Sequence, residues 1–557
     1  MDPIENFRKL DYLKLKPLYE IKIFSPFHAS EFLKSSSSMA ADCNGFSRYH
    51  LNKLSCGLSP ILADFSSVVY KKGLPTGLSF PFYPISKDKQ PPLIPQHNRF
   101  RPIGQVCNLI KGVVKNAFSQ LDQHLSPIED PNQFGFKSGN SVVSLVMTLL
   151  IDFFTCLKRC FVLRKYDISS AFTCLDFDIA RNKLKLCNVK DEALKFFESY
   201  LSPRDKVFLK ADGVTTEPWT ESMGIVQGCS GGPSAFRNFT IDFRAKMELD
   251  DPQKWELLHA DHITPWASTF KLDSYDLVLP PARLKKFADD STHVANGSNW
   301  SEVIDNLEVE SEFFQKLNDD NLMTLDPLKS ETIPIIPPDC TVPDCPISEG
   351  AITLCGFIID SRLTFAPMAK LIKSRLDNTF AVIRSLKGKR SLEDLKAQAK
   401  SLIYSDIYFA AVILALAPKQ CIHDLDLAVH KIGRLVLKKD NFEHVSNFSI
   451  YKELKILPPS EIIAIATLLF WVRTVECELS NPRLKMFANR IFSTRRMSGF
   501  WPKSSLNRIH AAIFDAYQLY LEKCQLASKT PRKLYKLDKE ELDHIFSCFP
   551  GPRKFQE

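Results

Sequence analysis

Short apolar runs and stretches of helical spacing take turns along the chain up to about residue 360, and beyond it helical spacing dominates. Leu371 to Leu386 and Glu461 to Leu479 are the long helical patterns. In the earlier part, Cys160 to Leu163 is an apolar run that leads through Arg164, Lys165 and Tyr166 to Asp167, and Asp178 to Leu184 reads as helix. Leu284 to Ala288 and Ser291 to Val294 read as a strand, a tight turn and a returning strand, with Asp289 and Asp290 at the tip. Proline breaks the pattern at Pro81 to Pro95, at Pro280-Pro281 and at Pro334 to Pro346. The last of these cannot be a helix and is the most linker-like. The pattern predicts a mixed α/β part followed by a mostly helical remainder. Ser35 to Ser38 reads as a loop, and no internal repeat is visible. The longest apolar runs, Phe409 to Ala417 and Ile462 to Val472, fall short of the roughly 20 residues of a membrane span, so no membrane partner is expected.

Composition changes this picture little. The 557 residues are 45% hydrophobic and 24% charged, which excludes wholesale disorder. The net charge of +8 permits nucleic acid as a partner without demanding it. Fifteen cysteines, an odd count scattered over a long chain, fit a reduced intracellular compartment better than a disulfide scaffold. Met1 to Glu5 lacks a basic segment followed by an apolar core, so no signal peptide is expected.

Three Asp-Asp doublets occur, and a doublet alone marks no more than a solvated turn. Asp289-Asp290 differs from Asp250-Asp251 and Asp319-Asp320 in its hairpin setting. Asp167 is the second candidate: a carboxylate at a strand's end, just before a helix, can meet a carboxylate from another element, although an N-cap or turn residue reads the same way. Carboxylate oxygens suit Mg²⁺, which is shared between a few acids and substrate phosphates. Two such ions about 4 Å apart can activate a 3′ hydroxyl and hold the leaving pyrophosphate. Between these acids, Gly224 to Phe236 is a Gly-rich loop running into a helix; it could bring bare backbone close to a base pair or a phosphate, or be a long turn.

Taken in order, these segments resemble the palm of a reverse transcriptase of the non-LTR retrotransposon (LINE-like) type. Tyr166-Asp167-Ile168-Ser169-Ser170-Ala171-Phe172 is similar to the first metal-binding motif of that family. Gln227-Gly228-Cys229 with Pro233 and Phe236 resembles its Gln-Gly-Cys-Pro loop, and Phe287-Ala288-Asp289-Asp290 its aromatic-Ala-Asp-Asp hairpin. Arg101-Pro102-Ile103 resembles the approach to the fingers, and Asn132 to Ser141 the template-gripping segment. Leu325 to Glu331 and Leu354 to Asp360 resemble the Lys-bearing segment after the hairpin and the Leu-Gly primer-grip turn. The matches keep the family's order over roughly residues 40–440.

The resemblance implies an RNA-directed DNA polymerase with an α/β right-hand fold. Its fingers and palm would carry an antiparallel sheet, followed by a helical thumb and a helical C-terminal region. The divisions it suggests are 1–95 (N-terminal extension and start of the fingers), 96–335 (fingers and palm), 336–440 (primer-grip turn and thumb) and 441–557, of unassigned role. It implies two Mg²⁺ ions, with Mn²⁺ as a substitute, held by Asp167, Asp289, Asp290 and the Ile168 carbonyl. Phe172 would be the steric gate against a ribose 2′-OH. Gln227 and Gly228 would brace the nucleotide, and Arg101 with Lys87 or Lys89 would meet its triphosphate. Lys329 would protonate pyrophosphate as general acid. Phe134, Gly135, Phe136, Lys137 and Gly356 would contact template or primer. The implied partners are an RNA template, a DNA primer or nicked target DNA, and dNTPs. From Lys370 to Lys400, nine Lys/Arg face three Asp/Glu, net +6, on a pattern whose apolar positions include Leu371, Leu376, Phe380, Ile383 and Leu386; the basic face could track phosphates.

Thr173, Gly231, Gly232 and Asp326 depart from the usual residues, and none removes a presumed metal ligand. His259-Ala260-Asp261-His262 reads as a surface loop rather than a metal site. No endonuclease segment is read ahead of residue 40, and no zinc knuckle or nuclease after residue 440. Residues 441–557 leave two readings open, an extended nucleic-acid surface or a plain helical domain. Two rivals remain beside the polymerase: a catalytically silent RNA-binding scaffold and an RNA-dependent RNA polymerase.

Overall fold

In a computed structural model, residues 4–10, 15–23, 25–34, 47–75, 80–86, 100–155, 160–211, 214–250, 282–336, 345–439, 446–477 and 506–526 are described, with the single positions 42, 481, 484, 485 and 488. Ser35 to Ser38, Lys87, Lys89, Pro280-Pro281 and His259 to His262 lie outside the described residues.

Helix is mixed with small sheets. The strands are β1 (Phe80–Ser86), β2 (Phe100–Gly104), β3 (Cys160–Ser169), β4 (Arg204–Ala211), β5 (Val214–Thr215), β6 (Trp219–Glu221), β7 (Ala282–Phe287), β8 (Asp290–Gly297), β9 (Thr324–Leu325), β10 (Glu331–Ile335), β11 (Ala351–Leu354) and β12 (Phe357–Asp360). The chain forms two compact units interleaved along the sequence. One holds Met1–Asp130, Tyr166–Leu257 and Glu308–Lys329; the other holds Pro131–Lys165, Leu258–Leu307 and Ser330–Glu557.

The first unit contains a sheet of order β2-β1-β4-β5, with β6 also on β4; β1 and β4 run parallel and the other pairs antiparallel. Pro81 and Pro84 therefore stand inside a strand, where the sequence pattern reads a proline break. Pro84 lies directly opposite Pro102, so each missing N–H falls where the partner makes no demand for one. The helix Asn108–Leu125 buries Val113, Val114, Ala117, Phe118 and Leu121 on one face. In the same unit, the Lys183 ammonium is buried in a cage of Phe7, Phe239 and Phe243 rings and ion-paired to Asp242 at 2.7 Å.

The second unit contains a sheet of order β10-β3-β8-β7 and the hairpin β11–β12. Pro334 lies in β10, at the sheet's edge, opposite Val162; an edge strand tolerates a missing donor, so the linker-like stretch begins later than its prolines suggest. The helices from residue 366 onward belong to this unit. Ala366–Leu386 packs on Leu392–Leu414 and Lys419–Val436, and Pro459–Glu476 packs between Leu392–Leu414 and Leu506–Leu526. That sandwich explains the apolar run Ile462 to Val472: a helix covered from several sides is apolar around most of its circumference. The helix Ala366–Leu386 buries Met368, Ala369, Ile372, Leu376, Thr379 and Ile383. Leu371, Phe380 and Leu386, read as part of the packed face, lie at its flank, and Lys431 Nζ sits 4.6 Å over the Phe380 ring. Among the described residues no helix is long and apolar enough to cross a membrane.

Candidate active site

Asp167 belongs to the first unit, near the end of β3. Its carbonyl accepts from the Asp326 N–H (2.9 Å), while Ile168 and Ser169 pair with Leu325 and Thr324 of β9. The Leu325–Lys329 segment is thereby fastened along the strand end. That places Lys329 Nζ 2.8 Å from Asp167 Oδ2 and 3.2 Å from Asp326 Oδ2. Asp326, one of the departures from the family pattern, thus gives Lys329 a second carboxylate. The hydrogen bond to Asp167 holds the Lys329 ammonium above the usual lysine range. The Lys329 side chain keeps 61% exposure, so solvent screens the pair.

After β3 the backbone turns through Ser170 at φ +53°. The Phe172 carbonyl then accepts from Ile225 N–H (2.6 Å), and the Leu175 carbonyl from Gly224 N–H (2.7 Å). The half-buried Phe172 ring stacks on Phe236, with centroids 5.0 Å apart at 25°. The Gly-rich loop owes its glycines to contacts within the protein. At Gly224 a Cβ would meet the Thr173 carbonyl oxygen at 2.7 Å, and at Gly228 (φ +101°) the Gly104 carbonyl oxygen at 2.6 Å. At Gly231 it would meet Val114 at 2.5 Å and Phe118 at 2.6 Å, which accounts for glycine where the family usually has Leu. The Gln227 carbonyl accepts from Gly104 N–H (2.7 Å), linking the loop to the end of β2. Arg101 lies in β2 opposite Ile85; its side chain, like all of Lys87, is outside the described residues.

The second unit carries Asp289 and Asp290. The last β7–β8 pair is Phe287 with Asp290, so only Ala288 and Asp289 form the turn, and Ala288 takes φ +58°. The pattern's expectation of both carboxylates at the tip is corrected: Asp290 is the first residue of β8. The segment from Asn132 runs along β7, with Lys286 N–H donating to the Asn132 carbonyl (2.9 Å) and Phe134 N–H to the Lys286 carbonyl (2.8 Å). Gln133 Oε1 accepts from both Gly135 N–H (2.9 Å) and Ala288 N–H (3.2 Å). Phe134 is 0% exposed and sits in the hydrophobic core, so its ring supports the hairpin and cannot stack on a base; Phe136, at 42%, and the half-buried Lys137 reach the surface.

Cys355 and Gly356 form the two-residue turn between β11 and β12, both at positive φ (+48° and +88°), as a type I′ hairpin requires. Cys355 Sγ lies 3.2 Å from Asp290 Oδ2. Burial, with Asp290 beside it, pushes the Cys355 thiol up, which keeps it protonated and a donor. Lys165 Nζ donates to the Thr353 carbonyl (2.9 Å) and lies 3.5 Å from Asp290 Oδ1. Behind the hairpin, Arg283 and Lys285 are buried and share Asp152, at 2.6 Å and 3.3 Å.

Sequence reasoning missed Lys165, Cys355, Gln133 and the pairing role of Asp326. Lys165, Cys355 and Gln133 act through partners distant in sequence, whereas Asp326 pairs three residues on with Lys329, a spacing the sequence does display. Among the described residues no group of three or more His, Cys, Asp or Glu is arranged to hold a metal. The donor chemistry of Asp167, Asp289 and Asp290 nevertheless suits a hard divalent ion, and ammonium groups already stand against two of the three. No protein-family model matches the chain, and no curated protein matches it.

Proposed function

We propose that the chain is an RNA-directed DNA polymerase of the non-LTR retroelement type, with a right-hand fold, extending a primer 3′ hydroxyl with dNTPs on an RNA template. The observation that carries this reading is the sheet order β10-β3-β8-β7. The strand bearing Asp167 lies beside the strand that Asp290 opens, and Lys165, two residues before Asp167 in β3, comes within 3.5 Å of Asp290. Residues i and i+2 of a strand share a face, so Asp167 stands on the face of β3 that Lys165 presents. Asp167, Asp289 and the Ile168 carbonyl would hold two Mg²⁺ ions. When bound, these supply Lewis-acid activation of the 3′ hydroxyl and charge neutralisation at pyrophosphate. Lys329, displaced from Asp167, is then the proton donor to pyrophosphate. The Phe172 ring, braced by Phe236, closes the space a 2′-OH would need.

The test is RNA-templated extension of a DNA primer by the purified chain. Extension with dNTPs that chelation abolishes and Mg²⁺ restores is the expected result. The rival scaffold reading has one observation in its favour: Lys329 and Lys165 already neutralise two of the carboxylates. RNA binding with no metal-dependent extension would favour it and overturn the polymerase. Phe172→Ala separates the RNA polymerase rival. Incorporation of rNTPs relative to dNTPs is expected to rise about tenfold or more, since removing a ring that excludes one hydroxyl changes discrimination by that order. Unchanged sugar selectivity in steady-state incorporation would remove Phe172 from the role.

A further inference from the structure

We propose that Asp290 is a positioning residue rather than a metal ligand: its carboxylate fastens the β7–β8 hairpin to the β11–β12 hairpin through Lys165 and Cys355. The inference rests on the polymerase reading for its meaning, but the geometry stands within one unit of the protein. Both carboxylate oxygens are engaged. Oδ1 faces Lys165 Nζ at 3.5 Å, and Oδ2 accepts from Cys355 Sγ at 3.2 Å. Lys165 is itself anchored, donating to the Thr353 carbonyl at 2.9 Å, so one ammonium spans β3, β8 and β11. A type I′ turn favours Asn, Asp or Gly at its first central position. Nothing in the turn chemistry calls for cysteine at 355, whereas the bond to Asp290 does.

The contrast with the Asp167 pair sharpens the assignment. Lys329 keeps 61% exposure and can swing into solvent when a cation arrives; the Lys165 side chain keeps 16% and is held by a backbone carbonyl. A divalent ion at Asp290 would have to evict both the ammonium and the thiol. Asp290 then serves the register between the β7–β8 hairpin and the β11–β12 turn.

The experiment uses the full chain and three readouts, two of them independent of catalysis. In native protein, iodoacetamide should alkylate Cys355 slowly, read on its own peptide by mass spectrometry. Asp290→Ala should speed that reaction about tenfold, the worth of one hydrogen bond to a charged group. Mn²⁺ binding by electron paramagnetic resonance should be unchanged within about twofold in Asp290→Asn but lost in Asp289→Asn. In extension assays Cys355→Ala should raise the primer KM about tenfold, with Cys355→Ser restoring it by supplying a hydroxyl donor. An unchanged alkylation rate in Asp290→Ala, or loss of Mn²⁺ binding in Asp290→Asn equal to that in Asp289→Asn, overturns the proposal. A chain that extends no primer at all defeats the polymerase reading and leaves the alkylation result to decide the clamp.

Discussion

Asp289→Ala is expected to reduce RNA-templated primer extension by about 10³-fold or more, a loss of roughly 4 kcal/mol of transition-state stabilisation. The backbone argument makes this substitution clean. The positive φ in the turn belongs to Ala288, not to Asp289, so alanine at 289 meets no conformational penalty. The half-buried side chain is neither a core residue nor one of the paired strand positions. Thermal stability should therefore shift by no more than about 0.5 kcal/mol, the range of ordinary surface changes. RNA affinity should persist, because phosphate contacts by basic side chains supply most of it. Extension by the variant within tenfold of native would show that Asp289 holds no catalytic ion, and would remove the basis for the proposed chemistry.

The hairpin that carries Asp289 is legible because two strands with a tight acidic turn write their own signature. The register is not legible. Whether a doublet contributes one or both residues to the turn depends on Phe287 facing Asp290 across the ladder, and that is decided by pairing. The Gln133-Phe134-Gly135-Phe136 segment fails in a similar way. The resemblance implies that both rings contact template or primer, and residues 134 and 136 of an extended chain would share a face. Phe136 takes φ +58°, the alternation breaks there, and one ring enters the core while the other stays out. Prolines mislead where pairing supplies no demand for their missing N–H, as at Pro84 and Pro334. On the helix Ala366–Leu386, Leu376 and Ile383 are buried as the stripe reads them, while Leu371, Phe380 and Leu386 pack on the core from its flank and Ile372 takes the central place, a choice the neighbouring helices make. Lys165 and Cys355 escape altogether, since their meaning lies in a carboxylate 125 and 65 positions away.

The Gly135 position yields the second large effect, and it tests how tightly the hairpin carrying Asp289 must be held. A Cβ on Gly135 would lie 2.2 Å from Ala288 N, 2.9 Å from the Phe287 carbonyl carbon and 3.0 Å from Ala288 Cα. All three are backbone atoms at the turn, so no side-chain rotation relieves the clash. Either the turn moves by roughly 1 Å, or the segment lifts from β7 and gives up the Phe134–Lys286 and Gln133–Ala288 bonds. Gly135→Ala is accordingly expected to lower kcat about 10²-fold, the consequence of misplacing a reacting group by such a distance. Overpacking should also cost about 1–3 kcal/mol of stability. The two measurements separate the routes. If the turn moves, kcat falls while the melting temperature drops only slightly; if the segment lifts, Phe134 leaves the core and the melting temperature falls with it. Native kcat in Gly135→Ala would mean that the turn carrying Asp289 tolerates displacement, which a centre for nucleotidyl transfer built on that carboxylate cannot do.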